Sequence, residues 1–172
     1  MQTCDFLVIG GGVIGLSIAR ELRKRQADAR VLLIEKEPSC GAHASGRNSG
    51  VLHAGFYYSP DSLKAKFTRL GNERLTAYCE EKHIPLNKCG KLVVATEERE
   101  LPALDELERR GRANGLNEIV RLTGDILKQY EPHVAGIAGL FVGETGIVNY
   151  TTVCRKYAEI IQASGGSLKL QH

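Results

Sequence analysis

Three groups of residues near the start of the chain have types and spacings suited to chemistry. Gly10-Gly11-Gly12-Val13-Ile14-Gly15 follows the apolar run Phe6-Leu7-Val8-Ile9, and Glu35, followed by Lys36, ends a second apolar run, Val31-Leu32-Leu33-Ile34. The third group is a second glycine-rich stretch, Ser45-Gly46-Arg47-Asn48-Ser49-Gly50-Val51-Leu52-His53-Ala54-Gly55. A strand that enters a helix through G-x-G-x-x-G makes a pyrophosphate site. The first glycine permits the turn, the second lets the backbone reach the phosphates, and the third lets helix and strand pack closely. The helix N-terminus then offers N–H groups and the positive end of its dipole to the anion. Glu35 follows Gly15 by about 20 residues, the distance at which a carboxylate accepts hydrogen bonds from ribose hydroxyls. A carboxylate there repels a 2′-phosphate, which disfavours NADP. The plainer reading is a solvated strand-end Glu.

The elements that must position these groups read as strand 5–9, helix 13–26, strand 30–35, a long loop, helix 61–82, strand 90–96 and helix 98–114. A strand at 119–122, a helix at 124–131, a strand at 138–143, helix 151–164 and strand 167–171 complete the order. Val13, Ile14, Leu16, Ile18, Ala19 and Leu22 give the first helix a broad apolar face. Alternating strands and helices predict an α/β fold with a parallel sheet. Thr151 is the expected N-cap of the last helix and Gly165-Gly166 its stop. Arg23, Lys24 and Arg25 close the first helix, where cations complement the C-terminal dipole, and they are not read as a nucleic-acid patch. From Glu37 to Pro60 no helical apolar stripe is visible. A loop that long is functional or disordered, and Val51-Leu52 and Phe56-Tyr57-Tyr58 argue against disorder.

A chain of 172 residues can bury a core and is one-domain in length. A net charge of +3 is too small to imply a polyanion partner, so no nucleic acid is expected. No run approaches the roughly 18 apolar residues of a membrane span. No basic-then-apolar leader precedes the first strand. Five cysteines without C-x-x-C suggest reduced thiols and a cytoplasmic setting, not a disulfide scaffold or zinc site.

In the motifs Gly10–Gly15, Glu35-Lys36 and Ser45–Gly55, the chain resembles the N-terminal half of FAD-dependent oxidoreductases of the D-amino-acid-oxidase superfamily. It is most similar to the L-2-hydroxyglutarate oxidase/dehydrogenase branch. The resemblance runs on through Tyr57-Tyr58, Ser62–Lys66, Cys89–Ala95 and Thr145–Tyr150, nearly the whole chain. Asn48–Gly55 followed by two tyrosines is its most specific part. It implies a Rossmann-like FAD-binding βαβ domain, residues 1–86 and 151–172, with part of an α+β substrate-side region, residues 87–150, built on an antiparallel sheet. The closing helix and strand would return to the flavin-binding sheet. The cofactor residues it implies are Gly10, Gly12, Val13, Ile14, Gly15, Glu35, Lys36, Ser45, Arg47, Asn48, Ser49, Gly50, Val51, Leu52 and His53. The implied reaction is oxidation of a small 2-hydroxy acid, L-2-hydroxyglutarate to 2-oxoglutarate, with oxygen or a quinone as final acceptor. Peripheral association with the inner face of a membrane stays open. Arg47 departs from the branch, which often has His there; Arg can bind a phosphate or a substrate carboxylate. Superfamily members are longer, so the chain reads as partial, and such a piece is expected to be poorly soluble or weakly flavinated.

Three roles stand for His53: base for the substrate hydroxyl proton, point of covalent flavin attachment, or a structural hydrogen-bonding residue. Lys64 and Lys66 attract a dicarboxylate or form a solvated helix face, the plainer reading. Tyr57 and Tyr58 line the pocket or pack in the core. His43, His83, His133 and His172 show no ligand spacing. Asp105, Glu106 and Glu108 with Arg109, Arg110 and Arg112 make a charged helix face. The rival functions are an amine or amino-acid oxidase of the same superfamily, a nucleotide-binding fragment without activity of its own, and a plain NAD dehydrogenase, which the second loop disfavours.

Overall fold

Val31–Glu35 (β2) alternates buried and half-buried residues. It is the middle strand of a parallel sheet, flanked by Phe6–Ile9 (β1) and Ser167–Leu170 (β9). In this computed structural model, which describes residues 3–172, the sheet belongs to one of two compact units. The first unit comprises the chain up to Gly50 together with Asn149–His172; the second is Val51–Val148. Those breaks fall at 50/51 and 148/149, whereas the sequence placed them at 86 and 150.

In the first unit, helix Val13–Arg25 (α1) packs against Tyr150–Ala163 (α5). Leu16 and Ala19 of α1 and Val153, Cys154 and Ile161 of α5 are fully buried. The apolar face of α1 is narrower than its sequence suggests: Ile14 and Ile18 are 74% and 50% exposed, because only one side of the helix is covered. Arg23 donates to the carbonyl of Ser164, so this basic residue joins α1 to the end of α5. The N-cap of α5 is Asn149, not Thr151: its Oδ1 accepts the N–H groups of Thr151 at 3.0 Å and Thr152 at 3.3 Å. Asn caps as well as Thr, and it directly precedes the first helical residue.

The second unit contains two antiparallel sheets. One orders Val51–Leu52 (β3), Gly146–Val148 (β8) and Leu86–Asn87 (β4). These strands of two or three residues are too short for periodicity to reveal. The other orders Lys91–Ala95 (β5), Ala138–Val142 (β7) and Ile119–Thr123 (β6). Here strand–helix alternation misleads: β5 and β6 run the same way, but β7 inserts between them and opposes both. The antiparallel sheet implied by the family resemblance is therefore present. Helix Leu101–Ala113 (α3), entered through a 3-10 turn, covers the sheet, and Leu104, Ile119, Leu140 and Val142 form the core with Phe56. Helix Leu63–Glu81 (α2) is capped by Ser62, whose hydroxyl accepts the N–H of Ala65; helix Gly124–Tyr130 (α4) joins β6 to β7. No helix among the described residues is long and apolar enough to cross a membrane.

Candidate dinucleotide site

The turn between β1 and α1 is built by steric exclusion. Gly10 has φ +106° and its N–H donates to the carbonyl of Ile34 at 2.8 Å, which ties the turn to β2. A Cβ on Gly15 would overlap the carbonyl oxygen of Gly10, so only glycine lets the helix start this close to the strand. Gly12 is the N-cap and offers no side chain to the helix end. A Cβ there would stand 3.2 Å from Ser45 Oγ. Ser45 supplies the missing cap, accepting the N–H of Val13 at 2.9 Å. The other first-turn donors of α1 have no partner within the helix and can receive an anion.

Glu35 is 9% exposed and is held by backbone donors: Oε2 accepts the N–H of Gly11 at 2.5 Å and Oε1 the N–H of Glu37 at 2.9 Å. The Glu37 N–H, together with that of Gly11 and the nearby His43, holds its carboxyl below the usual range against the opposing effect of burial. An ionised carboxylate has about four acceptor positions, so two such bonds leave room for ribose hydroxyls.

The second loop folds back on this turn. Gly41 donates to the carbonyl of Gly11 at 2.9 Å and Gly46 to that of His43 at 2.9 Å. Between turn and loop lies a cavity of about 170 Å³ lined by Gly12, Glu35 and residues 41–45. Beneath it, a Cβ on Gly41 would meet the Cβ of Cys154 at 3.2 Å, which makes α5 the floor of the loop. Burial pushes the Cys154 thiol up to about 11, so it stays protonated and serves as packing. These features suit the adenosine diphosphate half of FAD: a cradle that a side chain at Gly12 would fill, open helix donors and an ionised carboxylate.

Residues expected to touch the cofactor are not all gathered here. Arg47, Asn48 and Ser49 are exposed. Asn48 braces its own loop: its amide donates to the carbonyls of Ala44 and Ser45, both at 2.9 Å, and its Oδ1 accepts the N–H of Gly50 at 2.8 Å. Lys36 is exposed, its Nζ 3.9 Å from Glu37 Oε1.

Val51, Leu52 and His53 belong to the second unit, where Leu52 is buried and the His53 ring exposed. Asn72 of α2 donates to the carbonyls of His53 at 3.2 Å and Glu144 at 2.9 Å, fixing the end of β3. Tyr57 stacks on Phe56 at 4.0 Å and borders the core, with Lys91 Nζ 4.9 Å from its ring. Lys64 lies over the ring of Tyr58 at 4.5 Å. Glu106 pairs with Arg109 and Arg110, and Glu108 with Arg112, as expected of a charged helix face. No group of three or more potential metal ligands occurs among the described residues.

Sequence reasoning overlooked His43, Gly41, Ala42 and Ala44 as lining residues. The signal available for His43 was its place between Glu35 and Ser45, within a loop too irregular for any periodicity to orient.

Comparison with known proteins agrees with this geometry. The family model described as FAD dependent oxidoreductase matches residues 5–172. L-2-Hydroxyglutarate dehydrogenase of Indibacter alkaliphilus is 45% identical over 166 residues, covering 96% of this chain and 42% of the relative. The enzyme of the same name from Escherichia coli K12 is 44% identical over 95% of this chain and 39% of its own length. The chain thus spans about two fifths of the length of these curated relatives. Among solved structures, L-alpha-glycerophosphate oxidase from Mycoplasma pneumoniae, with FAD bound, superposes with a TM-score of 0.90 at 32% identity, covering 99% of this chain and 45% of that one. Glycine oxidase from Geobacillus kaustophilus superposes with a TM-score of 0.85 at 27% identity over 98% of this chain and 46% of that one.

Proposed function

The chain belongs to the FAD dependent oxidoreductase family, and from that premise we propose that the protein oxidises a small 2-hydroxy acid, L-2-hydroxyglutarate, to 2-oxoglutarate. The observation that carries the substrate is the 45% identity to an L-2-hydroxyglutarate dehydrogenase across nearly the whole chain. When bound, FAD supplies the acceptor for the two electrons and the hydrogen removed from the substrate carbon.

The chain's own residues have separate tasks. Gly10, Gly12 and Gly15 admit the pyrophosphate to the N-terminus of α1, where the backbone of Val13 and Ile14 lies. Glu35 accepts the ribose hydroxyls and disfavours a 2′-phosphate, and Ser45 fixes the helix end. Lys36, Arg47, Asn48, Ser49, Gly50, Val51 and Leu52 complete the cofactor's surroundings, Asn48 by bracing the loop. His53 takes the substrate hydroxyl proton. We assign the adenosine diphosphate side of cofactor binding to the first unit, and the contacts of Val51 and Leu52 and the substrate-side contacts to the second. Oxygen or a quinone receives the electrons, in the cytoplasm or at the inner face of a membrane.

The test is anaerobic addition of L-2-hydroxyglutarate to the flavin-loaded protein. Loss of the oxidised flavin's visible absorbance band supports the reading; an unchanged spectrum removes this substrate. A second reading, oxidation of an amine C–N bond, is favoured by the likeness to glycine oxidase. Bleaching by glycine or another amino acid, and not by the hydroxy acid, would select it.

A further inference from the structure

His43 stands in the cavity of the first unit with Gly12, Glu35 and Ser45 as neighbours along its lining. Its ring is half exposed, and Nε2 lies 2.7 Å from Glu37 Oε1. Glu37 in turn donates its N–H to Glu35 Oε1, so His43, Glu37 and Glu35 form one connected chain around the cavity. The carbonyl of His43 accepts the N–H of Gly46, which fixes the backbone that carries the ring. An ionised Glu37 accepts only, so the hydrogen on that contact sits on Nε2. Nδ1 is then the ring atom left for a ligand, as an acceptor in the neutral ring and as a donor in the charged one. Beside Glu35, that ligand is the adenosine side of a dinucleotide.

We propose that His43 is a binding residue for the adenosine diphosphate half of the cofactor, oriented by Glu37. This inference rests on the reading of the glycine turn as a dinucleotide site. Glu35 can only accept hydrogen bonds and draws on the ribose hydroxyls as donors. A ring nitrogen from another residue of the same lining adds a contact that a carboxylate cannot provide when the imidazole is charged, and a second acceptor for the ribose when it is neutral. The Glu37 contact limits rotation of the ring, so less conformational freedom is lost when the nucleotide enters.

The experiment is calorimetric titration of the cofactor-free protein with ADP, which carries the adenosine half alone, alongside thermal melting of each variant. His43→Phe keeps a ring of similar size without nitrogens and is expected to lose roughly tenfold in ADP affinity, the worth of about one hydrogen bond. His43→Gln keeps a donor for Glu37 and an acceptor for the ligand, and is expected to recover most of that loss. Both should melt close to the unsubstituted protein, because the ring is half exposed. ADP affinity that is unchanged in His43→Phe overturns the proposal. So does an equal loss in both variants that tracks a fall in melting temperature, since that is the mark of a loop-structural role. If the unsubstituted protein itself fails to bind ADP, the dinucleotide reading falls instead, and the two failures are told apart.

Discussion

The two units hold their irregular segments in different ways. In the first, the tightest points are set by backbone meeting backbone: Gly10 turned to positive φ, Gly15 against the carbonyl of Gly10, Gly46 against that of Gly41, with Ser45 and Asn48 adding side-chain bonds. In the second, shape is enforced by amide side chains that reach far along the sequence. Asn114 donates to the carbonyls of Gly55 at 3.1 Å and Tyr58 at 3.0 Å, while Asn72 clamps His53 and Glu144. Steric exclusion tolerates almost no substitution but needs only a few neighbouring residues. Amide clamps tolerate partial loss, yet each depends on partners tens of residues away.

The largest expected effect breaks the first kind of device. Gly15→Val places side-chain atoms where the Gly10 carbonyl sits, and neither backbone can yield without opening the turn from β1 to α1. The expected cost is at least ~3 kcal/mol, with loss of bound flavin, read from melting temperature and flavin content after purification. A variant that folds and retains flavin would mean that the turn relaxes, and the contrast between the units would fall with it.

The next effect belongs to the second unit. Asn114 is 8% exposed, and Asn114→Ala takes the side-chain donor from the Gly55 and Tyr58 carbonyls, leaving Gly55 only the N–H of Tyr58 at 3.3 Å. A loss of about 1–3 kcal/mol is expected, the cost of buried groups left unpaired. ADP affinity should stay unchanged, because Asn114 takes no part in the cavity of the first unit. Equal losses of stability and ADP affinity would show that the two devices are not separable.

This difference also explains how much could be read from sequence. Gly10–Gly15, Glu35 and the strands beside them were legible because the glycines have no substitute at their turn and the carboxylate follows them at a recognisable spacing, even though Glu35 reaches back 24 residues to Gly11. Ser45 was legible as a hydrogen-bonding residue, but not as the cap of α1, since its partner Val13 lies 32 residues earlier. Asn114 was illegible as a clamping residue for the same reason: nothing nearby in sequence reports which carbonyl a distant loop will present. His43 has its partner Glu37 only six residues away, but the irregular loop between them offers no periodicity that would orient the ring. β7 was read as a strand, but its place between β5 and β6 is set by which faces are apolar on all three strands together. Ile14 and Ile18 show the reverse failure, since helical periodicity marks apolar positions without saying whether anything covers them.

The smallest expected effect lies within the first unit and concerns charge instead of shape. Glu35 carries a carboxyl depressed by the N–H groups of Glu37 and Gly11, so the folded chain favours its ionised form more than the unfolded chain does. A depressed carboxyl contributes stability that is fully present above its ordinary value of 4.5 and is lost as pH falls through its lower folded value. Glu35→Gln has no such group, and its amide meets two N–H donors with a single oxygen. The gap in melting temperature between the unsubstituted protein and Glu35→Gln should therefore be widest near neutrality and shrink on acidification. Asp5, drawn down to about 2 by its hydrogen bond to Arg30, also titrates in acid, but it is present in both proteins and cancels from the difference. A gap that stays constant from neutral to acid pH would show that Glu35 acts by filling space. The first unit would then be steric throughout, without the charged acceptor that separates its cavity from an ordinary glycine turn.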